Sequence, residues 1–449
     1  MKNIIALFLI FSSGLSAQCF TIGADLSYTN SVIANGGVYR DQNNAVVNPY
    51  ALFAQKGANM VRMRLFHTPQ NFISHCGSPI TANDINDVIA GFTSAKANGM
   101  KLNLAIHYGD YFNDPNTQKR PQAWYGLTGA TLQNAIYNYT TSVLQTLKNN
   151  NVTPDIVAIG NETTWGFIDD TSTTNGWTWP EDANKFNIAF TAVNNFNFAN
   201  GTTIKKAIHF TDNTASWLAG LFTSQSITNF DIIGISFYPY WSNFTSLTQL
   251  GTLVNTLKVT YNKDVMIFET GLPWTTSSSD TYSNIINSNS NFNYPITPIG
   301  QKQFFNDLVT TVYNAGGKGV LYWEPGWITS TFCDKWGQGS SYENLSFFNF
   351  SSNNMPLPIF DIFDFCNALS TQDQNKNDIN LSPSPARDFI YFKGLNENTE
   401  VSVYDVFGRL ILKKNLKENT LDISELHSGI YYFEFYVFEN KIVKKVIVN

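Results

Sequence analysis

The sequence predicts an α/β fold, a (β/α)8 TIM barrel followed by a small all-β sandwich C-terminal domain. Three observations carry this. Short apolar runs alternate eight times with segments of helical periodicity between residues 20 and 369. Two of the runs, Ile156-Val157-Ala158-Ile159 and Val265-Met266-Ile267-Phe268, read as buried parallel strands and lead into Gly160-Asn161-Glu162 and Glu269. Past residue 385 the alternation stops, and only strand and turn patterns remain.

Taken in order, the first strand covers residues 20–28. Pro49 opens a short helix over 49–56 that Gly57 closes. Strand two covers 59–66 and carries Arg62 and Arg64. A helix over 81–98 stops at Gly99, and strand three covers 101–107 and ends in His107-Tyr108-Gly109-Asp110. A helix over 127–148, strand four over 154–162 and a helix over 181–198 follow. Strand five is 205–210, a short helix is 214–221, strand six is 231–238 and the next helix is 246–261. Strand seven is 265–269, a helix over 300–315 ends at Gly316-Gly317, and strand eight is 319–324. A last helix over 356–369 closes the ring. The surplus length lies in segments that follow strands: 68–79, 111–128, 163–180, 270–298 and 325–354. All of these emerge on the face where such barrels carry their sites, so a long groove is expected there.

The N-terminus has Lys2, an apolar run over 4–11 and a small-residue exit at Ala17, which reads as a signal peptide over residues 1–17. The run is too short to span a bilayer. The barrel is then expected over 18–369, a polar linker over 370–385 and the β-sandwich over 386–449. The chain has four cysteines, and an exported chain can oxidise them. Cys19 and Cys366 fall at the bottom of the barrel, Cys76 and Cys333 in loops at its top, so Cys19–Cys366 and Cys76–Cys333 are the expected pairs. Free buried thiols are the alternative.

Charged residues make up 14% of the chain and the net charge is −6. With no basic stripe in the first 370 residues, nucleic acid is excluded as a partner. No cysteine and histidine spacing suits zinc, and no glycine-rich phosphate loop is present. Aromatic residues make up 15%, which suits a large core and also a sugar-stacking groove.

Glycosidic cleavage needs one carboxylic acid to protonate the leaving oxygen and one carboxylate on the other side of the sugar. Glu162 is assigned the acid/base role and Glu269 the nucleophile, with Asn161 placed to bond the sugar 2-hydroxyl. A lone strand-end glutamate is usually a solvated loop residue; two at such positions point to catalysis. In Val61-Arg62-Met63-Arg64-Leu65 one arginine must face inward, and Arg64 is the candidate for keeping the nucleophile ionised. Tyr238 can donate to Glu269, and His107 and His209 end strands facing the mouth. Asp110 and Asp114 can bond hydroxyls, Trp323 can floor the sugar, and Trp124, Trp165, Trp274 and Trp327 can stack on further units. Each could instead be core or a structural ion pair.

The segments Gly23-Ala-Asp-Leu-Ser27, Asn59 to Leu65, His107-Tyr-Gly-Asp110, Asp114-Pro115, Trp124, Gly160-Asn-Glu162 and Glu269-Thr-Gly271 with Pro273-Trp274 resemble family-53 glycoside hydrolases. So do Glu324-Pro-Gly-Trp327 and Trp336 to Ser341 with Glu343-Asn344. The resemblance covers about residues 20 to 369 and implies an arabinogalactan endo-β-1,4-galactanase, retaining, with Glu162 and Glu269 on the catalytic positions. It implies β-1,4-galactan as the polysaccharide partner and no catalytic cofactor. Some bacterial members hold a structural calcium near the loops after strands seven and eight, where this chain has Asp280, Asp334 and Glu343. The C-terminal module, through Pro383 to Ala386, Val403 to Arg409, Leu426 to Tyr432 and the closing Lys-Lys-Val-Ile-Val, resembles a sorting domain of type IX secretion. That implies the type IX machinery as a partner and a secreted or surface location. A monomer is expected. Another endo-glycanase of the same clan, acting on mannan, xylan or β-glucan, and a non-catalytic glycan-binding barrel are the alternatives.

Overall fold

The structure is a computed structural model that describes residues 20–170, 176–288, 292–365, 380–393, 395, 399–437 and 440–449. The expected signal peptide and the expected Cys19–Cys366 pair lie outside the described residues. The chain divides into two units, residues 1–364 and 365–449.

In the first unit eight parallel strands close into a barrel in sequence order. They are β1 (Thr21–Asp25), β2 (Met60–Leu65), β3 (Lys101–Ile106), β4 (Ile156–Ile159), β5 (Lys205–Thr211), β6 (Ile232–Phe237), β7 (Asp264–Thr270) and β8 (Gly319–Trp323). The ring closes by β1 pairing with β8, from Thr21 opposite Gly319 to Asp25 opposite Trp323. Gly23 permits close approach of β1 to β2, since a Cβ there would stand 2.1 Å from the Met60 carbonyl oxygen. The barrel interior mixes small and large residues, with Ala105, Ala158 and Ala207 against Met60, Met266, Phe268 and Leu321. This size alternation fills a closed barrel without voids.

Helices α1 (Thr29–Ala34), α2 (Pro49–Gln55), α3 (Ile85–Ala97), α4 (Gly129–Asn149), α5 (Glu181–Asn200), α6 (Asp212–Ser224), α7 (Leu247–Tyr261) and α8 (Pro298–Asn314) belong to this unit. Their starts are chemically marked. Asp84 accepts from the amides of Asn86 and Asp87 ahead of α3. Ser246 and Gln249 form a reciprocal capping box on α7. Along α4, Leu132, Ile136, Val143 and Leu147 form one buried face. Of the closing helix expected over 356–369, Pro358–Asp364 forms a 3-10 segment and residues 366–369 lie outside the described residues. Pro356 and Pro358 lack amide donors at the start of that stretch, which works against a regular α-helix. Two short strands, β9 (Phe348–Asn349) and β10 (Met355–Pro356), pair just before it.

The second unit contains β11 (Asn380–Ser382), β12 (Phe389–Lys393), β13 (Glu400–Tyr404), β14 (Leu410–Asn415), β15 (Thr420–Asp422), β16 (Gly429–Val437) and β17 (Asn440–Val448). They form two antiparallel sheets, β11-β12-β15 and β14-β13-β16-β17. Ile390 and Phe392 of one sheet share a core with Val401, Val403, Phe433 and Val446 of the other. β11 lies inside the stretch read as linker: Leu381 pairs with Phe392, and that tertiary pairing overrides the polar composition around it.

Candidate active site

Two local devices deliver the strand-end glutamates to the barrel mouth. At β4 the strand stops at Ile159 and the chain turns through Gly160, whose φ is +81°. A Cβ at Gly160 would meet Thr163 Cγ2 at 2.6 Å and the Phe167 ring at 2.9 Å, so only glycine fits. Glu162 itself has φ +46°, a left-handed conformation that costs on the order of 1–3 kcal/mol for a residue with a side chain. At β7 the pairing with β6 shifts register: Ile235 faces Ile267, but Ser236 faces Glu269. The extra residue, Phe268, points into the barrel core. The bulge therefore re-aims Glu269, which in a regular strand would point to the helix side. Glu162 and Glu269 line one groove of about 620 Å³.

The two carboxyls have different surroundings. Glu269 Oε1 lies 2.9 Å from Arg62 Nη1. Tyr238 donates its hydroxyl to Glu269 Oε2 at 3.1 Å. Among the described residues no cation pairs with Glu162. Its carboxyl is pushed up to about 8, first by desolvation and then by the charge of Glu269, against the pull of Ser236 and Arg62. Burial raises Glu269 too, and Arg62 is the main opposing influence. The cation in contact with Glu269 favours its ionised form, so the proton of the pair rests on Glu162.

Arg62 also donates to Asp25 Oδ2 at 2.6 Å and to Asn161 Oδ1 at 2.8 Å. Arg64 lies further along the same strand face. It pairs with Glu324 at the end of β8 and stands 3.4 Å from Asp25 Oδ1. Its guanidinium also lies 4.6 Å from the centre of the Tyr28 ring. This corrects the sequence expectation in two ways: both arginines are buried inward, and Arg62 rather than Arg64 holds Glu269. Residues two apart on a strand share a face, so one inward arginine implies the other.

His107 and His209 are fully buried beneath the groove and do not line it. Desolvation, with Arg62 next, holds both imidazoles well below the usual histidine range, so both are neutral. His209 bonds Asn161 Oδ1 through Nδ1 at 3.0 Å and Ser236 Oγ through Nε2 at 2.9 Å. Arg62 and His209 together fix the Asn161 carbonyl oxygen, while its amide donates to the Asn113 carbonyl at 3.0 Å. His107 accepts from the Asn113 backbone amide at 3.1 Å. The two histidines thus orient asparagines and stand away from the sugar site.

Of the other expected contacts, Asp114, Asn161, Tyr238, Trp323, Trp327 and Arg64 line the groove. Asp110, Trp124 and Trp274 do not. Asp110 accepts from Asn71 and from the Gln122 amide, a loop-fixing role. Trp124 packs on His67 and Tyr139, and Trp274 packs on Phe350, so both are core. The groove also contains residues outside the expected set, notably Phe112, Trp241, Trp336 and Tyr342. Trp323 meets Tyr342 at 4.5 Å between ring centres, and together they wall the site. Glu324 was legible as a third apolar strand ending in a carboxylate; its φ is +47°, like that of Glu162.

Cys76 and Cys333 form a disulfide between the loops after β2 and β8. The three acids in the loops where some bacterial family members hold calcium have other partners here. Glu343 accepts from Ser278, Ser279 and Thr329. Asp280 accepts from Thr329 and from the Ser340 amide, while Asp334 accepts from Tyr282 and the amides of Trp336 and Gly337. Their oxygens are occupied by hydroxyl and N–H donors, and no metal-holding cluster of three acids, histidines or cysteines occurs among the described residues.

Residues 21–363 match the model of glycosyl hydrolase family 53. Residues 380–449 match that of the secretion system C-terminal sorting domain. The chain is 36% identical over 349 residues to an arabinogalactan endo-β-1,4-galactanase of Cellvibrio japonicus, covering 77% of this chain and 90% of that one. It is 30% identical over 383 residues to an endo-β-1,4-galactanase of Bacillus subtilis, covering 77% and 86%. Its fold matches the Ignisphaera aggregans GH53 catalytic domain with a TM-score of 0.69 at 30% identity, covering 77% of this chain and 96% of that one. The sorting module makes the protein an exported one, secreted or displayed at the cell surface through the type IX system. With the family model spanning the whole barrel that carries Glu162 and Glu269, the chain belongs to glycosyl hydrolase family 53.

Proposed function

We propose that this protein is an exported endo-β-1,4-galactanase that cleaves galactan and type I arabinogalactan with retention of configuration. The observation that carries the mechanism is the unequal pair in one groove: Glu269 held by Arg62 and Tyr238, Glu162 with no cation in contact among the described residues. In the first step a Glu269 oxygen attacks the anomeric carbon while Glu162 gives its proton to the departing glycosidic oxygen. A glycosyl ester on Glu269 results, and Glu162 is left ionised. In the second step Glu162 takes a proton from water, which attacks the same carbon and releases Glu269. Asn161, its carbonyl oxygen fixed by Arg62 and His209, has an amide N–H for the 2-hydroxyl of the sugar. Trp323 and Tyr342 wall the reacting sugar.

The test is reducing-sugar release from linear β-1,4-galactan beside mannan, xylan and β-glucan, with Glu162→Gln as control. Release from galactan by the wild type, with the β-anomer formed first by proton NMR, supports the reading. Release only from another glycan overturns the substrate, and first formation of the α-anomer overturns the double displacement.

A further inference from the structure

The groove has one end that the chemistry above does not use. Trp165, in the loop after β4, and Trp241, in the loop after β6, both line it, and each is 47% exposed. Exposed indoles carry a large apolar surface, and both are held in place. Trp165 rests on Trp217 of α6, with ring centres 5.2 Å apart and planes at 44°. The Trp241 ring meets Tyr238 edge-on at 5.0 Å. Its loop is tied to the start of α6: Asn213 donates to the Trp241 carbonyl at 3.0 Å and accepts from the Asn243 amide at 2.8 Å, and Ser242 donates to Asp212. A single helix, α6, therefore braces both rings, one through Trp217 and one through Asp212 and Asn213. Fixing a ring in advance removes the ordering cost that a mobile platform would bear on binding.

The position of the rings sets which half of the substrate they meet. The reacting sugar lies between Glu269 and the wall made by Trp323 and Tyr342, on the β7 and β8 side of the mouth. Glu162 belongs to β4, and its proton goes to the oxygen that leaves. Trp165 comes from the loop that carries Glu162 and Trp241 from the loop after β6, so both lie on the β4 to β6 arc of the mouth, away from the β8 wall and on the side of the departing half of the chain. We propose that Trp165, braced by Trp217, and Trp241 form a rigid platform that stacks on galactosyl units of the leaving group, making them specificity-determining residues for a polymeric aglycone. The apolar C–H face of a galactopyranose is the matching chemistry, because it covers an indole without stranding a hydroxyl. The same platform receives an acceptor sugar in place of water during the second step, so it also sets the balance between transfer and hydrolysis.

This inference rests on the galactanase reading, and the experiment separates the two. The full chain and its Trp165→Ala, Trp241→Ala and Trp217→Ala variants are assayed on galactan and on a p-nitrophenyl β-1,4-galactobioside, which has no sugar beyond the cleaved bond. Added β-1,4-galactobiose then serves as acceptor for transfer. The expected result is a loss of kcat/KM roughly 5- to 10-fold larger on galactan than on the aryl substrate for Trp165→Ala and Trp241→Ala, the range of one aromatic contact. The ratio of transfer to hydrolysis falls in parallel, and Trp217→Ala shows the same pattern more weakly. Equal losses on both substrates, or an unchanged transfer ratio, overturn the platform while wild-type cleavage of galactan keeps the reading beneath it. A wild type inactive on galactan but active on another glycan overturns both. Because the transfer ratio is read within one protein sample, partial misfolding of a variant does not mimic the expected result.

Discussion

Arg62 stands 2.9 Å from Glu269 and gives that glutamate a buried cation that, among the described residues, Glu162 does not share. The same guanidinium reaches Asp25 and Asn161, so one side chain links the proposed nucleophile to the asparagine proposed to meet the sugar 2-hydroxyl. Replacing it separates charge from shape. In Arg62→Met, Glu269 keeps its burial but loses its opposing charge, so its carboxyl moves upward. The acid limb of the kcat/KM profile is expected to move to higher pH. Removing one partner of a buried pair also costs about 3–5 kcal/mol of stability. A pH–rate profile beside a denaturant melt reads both; an acid limb that stays in place removes Arg62 from the mechanism.

The alkaline limb belongs to Glu162. In the proposed mechanism its acid form is the active one, and its carboxyl is raised to about 8 by burial and by Glu269. Activity is therefore lost as pH rises through about 8. The same shift affects folding. Between the unfolded value of about 4.3 and the folded value, the native state holds a proton that the unfolded state has released, so this group's stabilising contribution declines as pH rises. Glu162→Gln removes that decline, measured as the pH dependence of unfolding free energy. A variant whose stability follows pH as the wild type does contradicts the assignment.

The Cys76–Cys333 disulfide joins residues 257 apart in sequence. It braces the end of the groove where Lys335 lies 4.5 Å from the Phe72 ring centre and 5.8 Å from that of Trp336. Cys76→Ser with Cys333→Ser is expected to cost about 2–4 kcal/mol of stability. Thermal melting with and without reductant checks this: the wild type falls to the level of the double variant on reduction, and a wild type insensitive to reductant refutes it.

Chelation has the opposite expectation. Asp280 and Glu343 take hydroxyl donors from Thr329, Ser278 and Ser279, so the loops after β7 and β8 are held by hydrogen bonds. Dialysis against EDTA leaves the melting temperature unchanged. A fall that added calcium restores would establish a metal at these loops.

The sequence made the strands legible because each is a short apolar run, and it made Glu162 and Glu269 legible because each breaks such a run. The Glu269 bulge was not legible: a one-residue shift between Ile267 and Glu269 leaves the apolar pattern intact. Aromatic content marked a groove without sorting its rings. Trp323 and Trp327 line it, whereas Trp124 and Trp274 are packed elsewhere, because indole suits a core as well as a sugar face. Alternation along β2 puts Arg62 and Arg64 on one face, which the expectation of a single inward arginine overlooked; choosing between them required knowing that Glu324 occupies Arg64. The Ser- and Pro-rich start of the C-terminal unit hid β11, which exists through its pairing with β12.

Glu269 as the nucleophile is the central claim, and trapping its ester tests it most directly. A 2-deoxy-2-fluoro-galactobiosyl fluoride slows the second step by withdrawing charge from the anomeric centre, so the glycosyl-enzyme accumulates. Mass spectrometry of peptides from the inactivated protein is expected to place the adduct on Glu269. An adduct on Glu162, or steady turnover of the reagent with inversion and no adduct, would contradict the account.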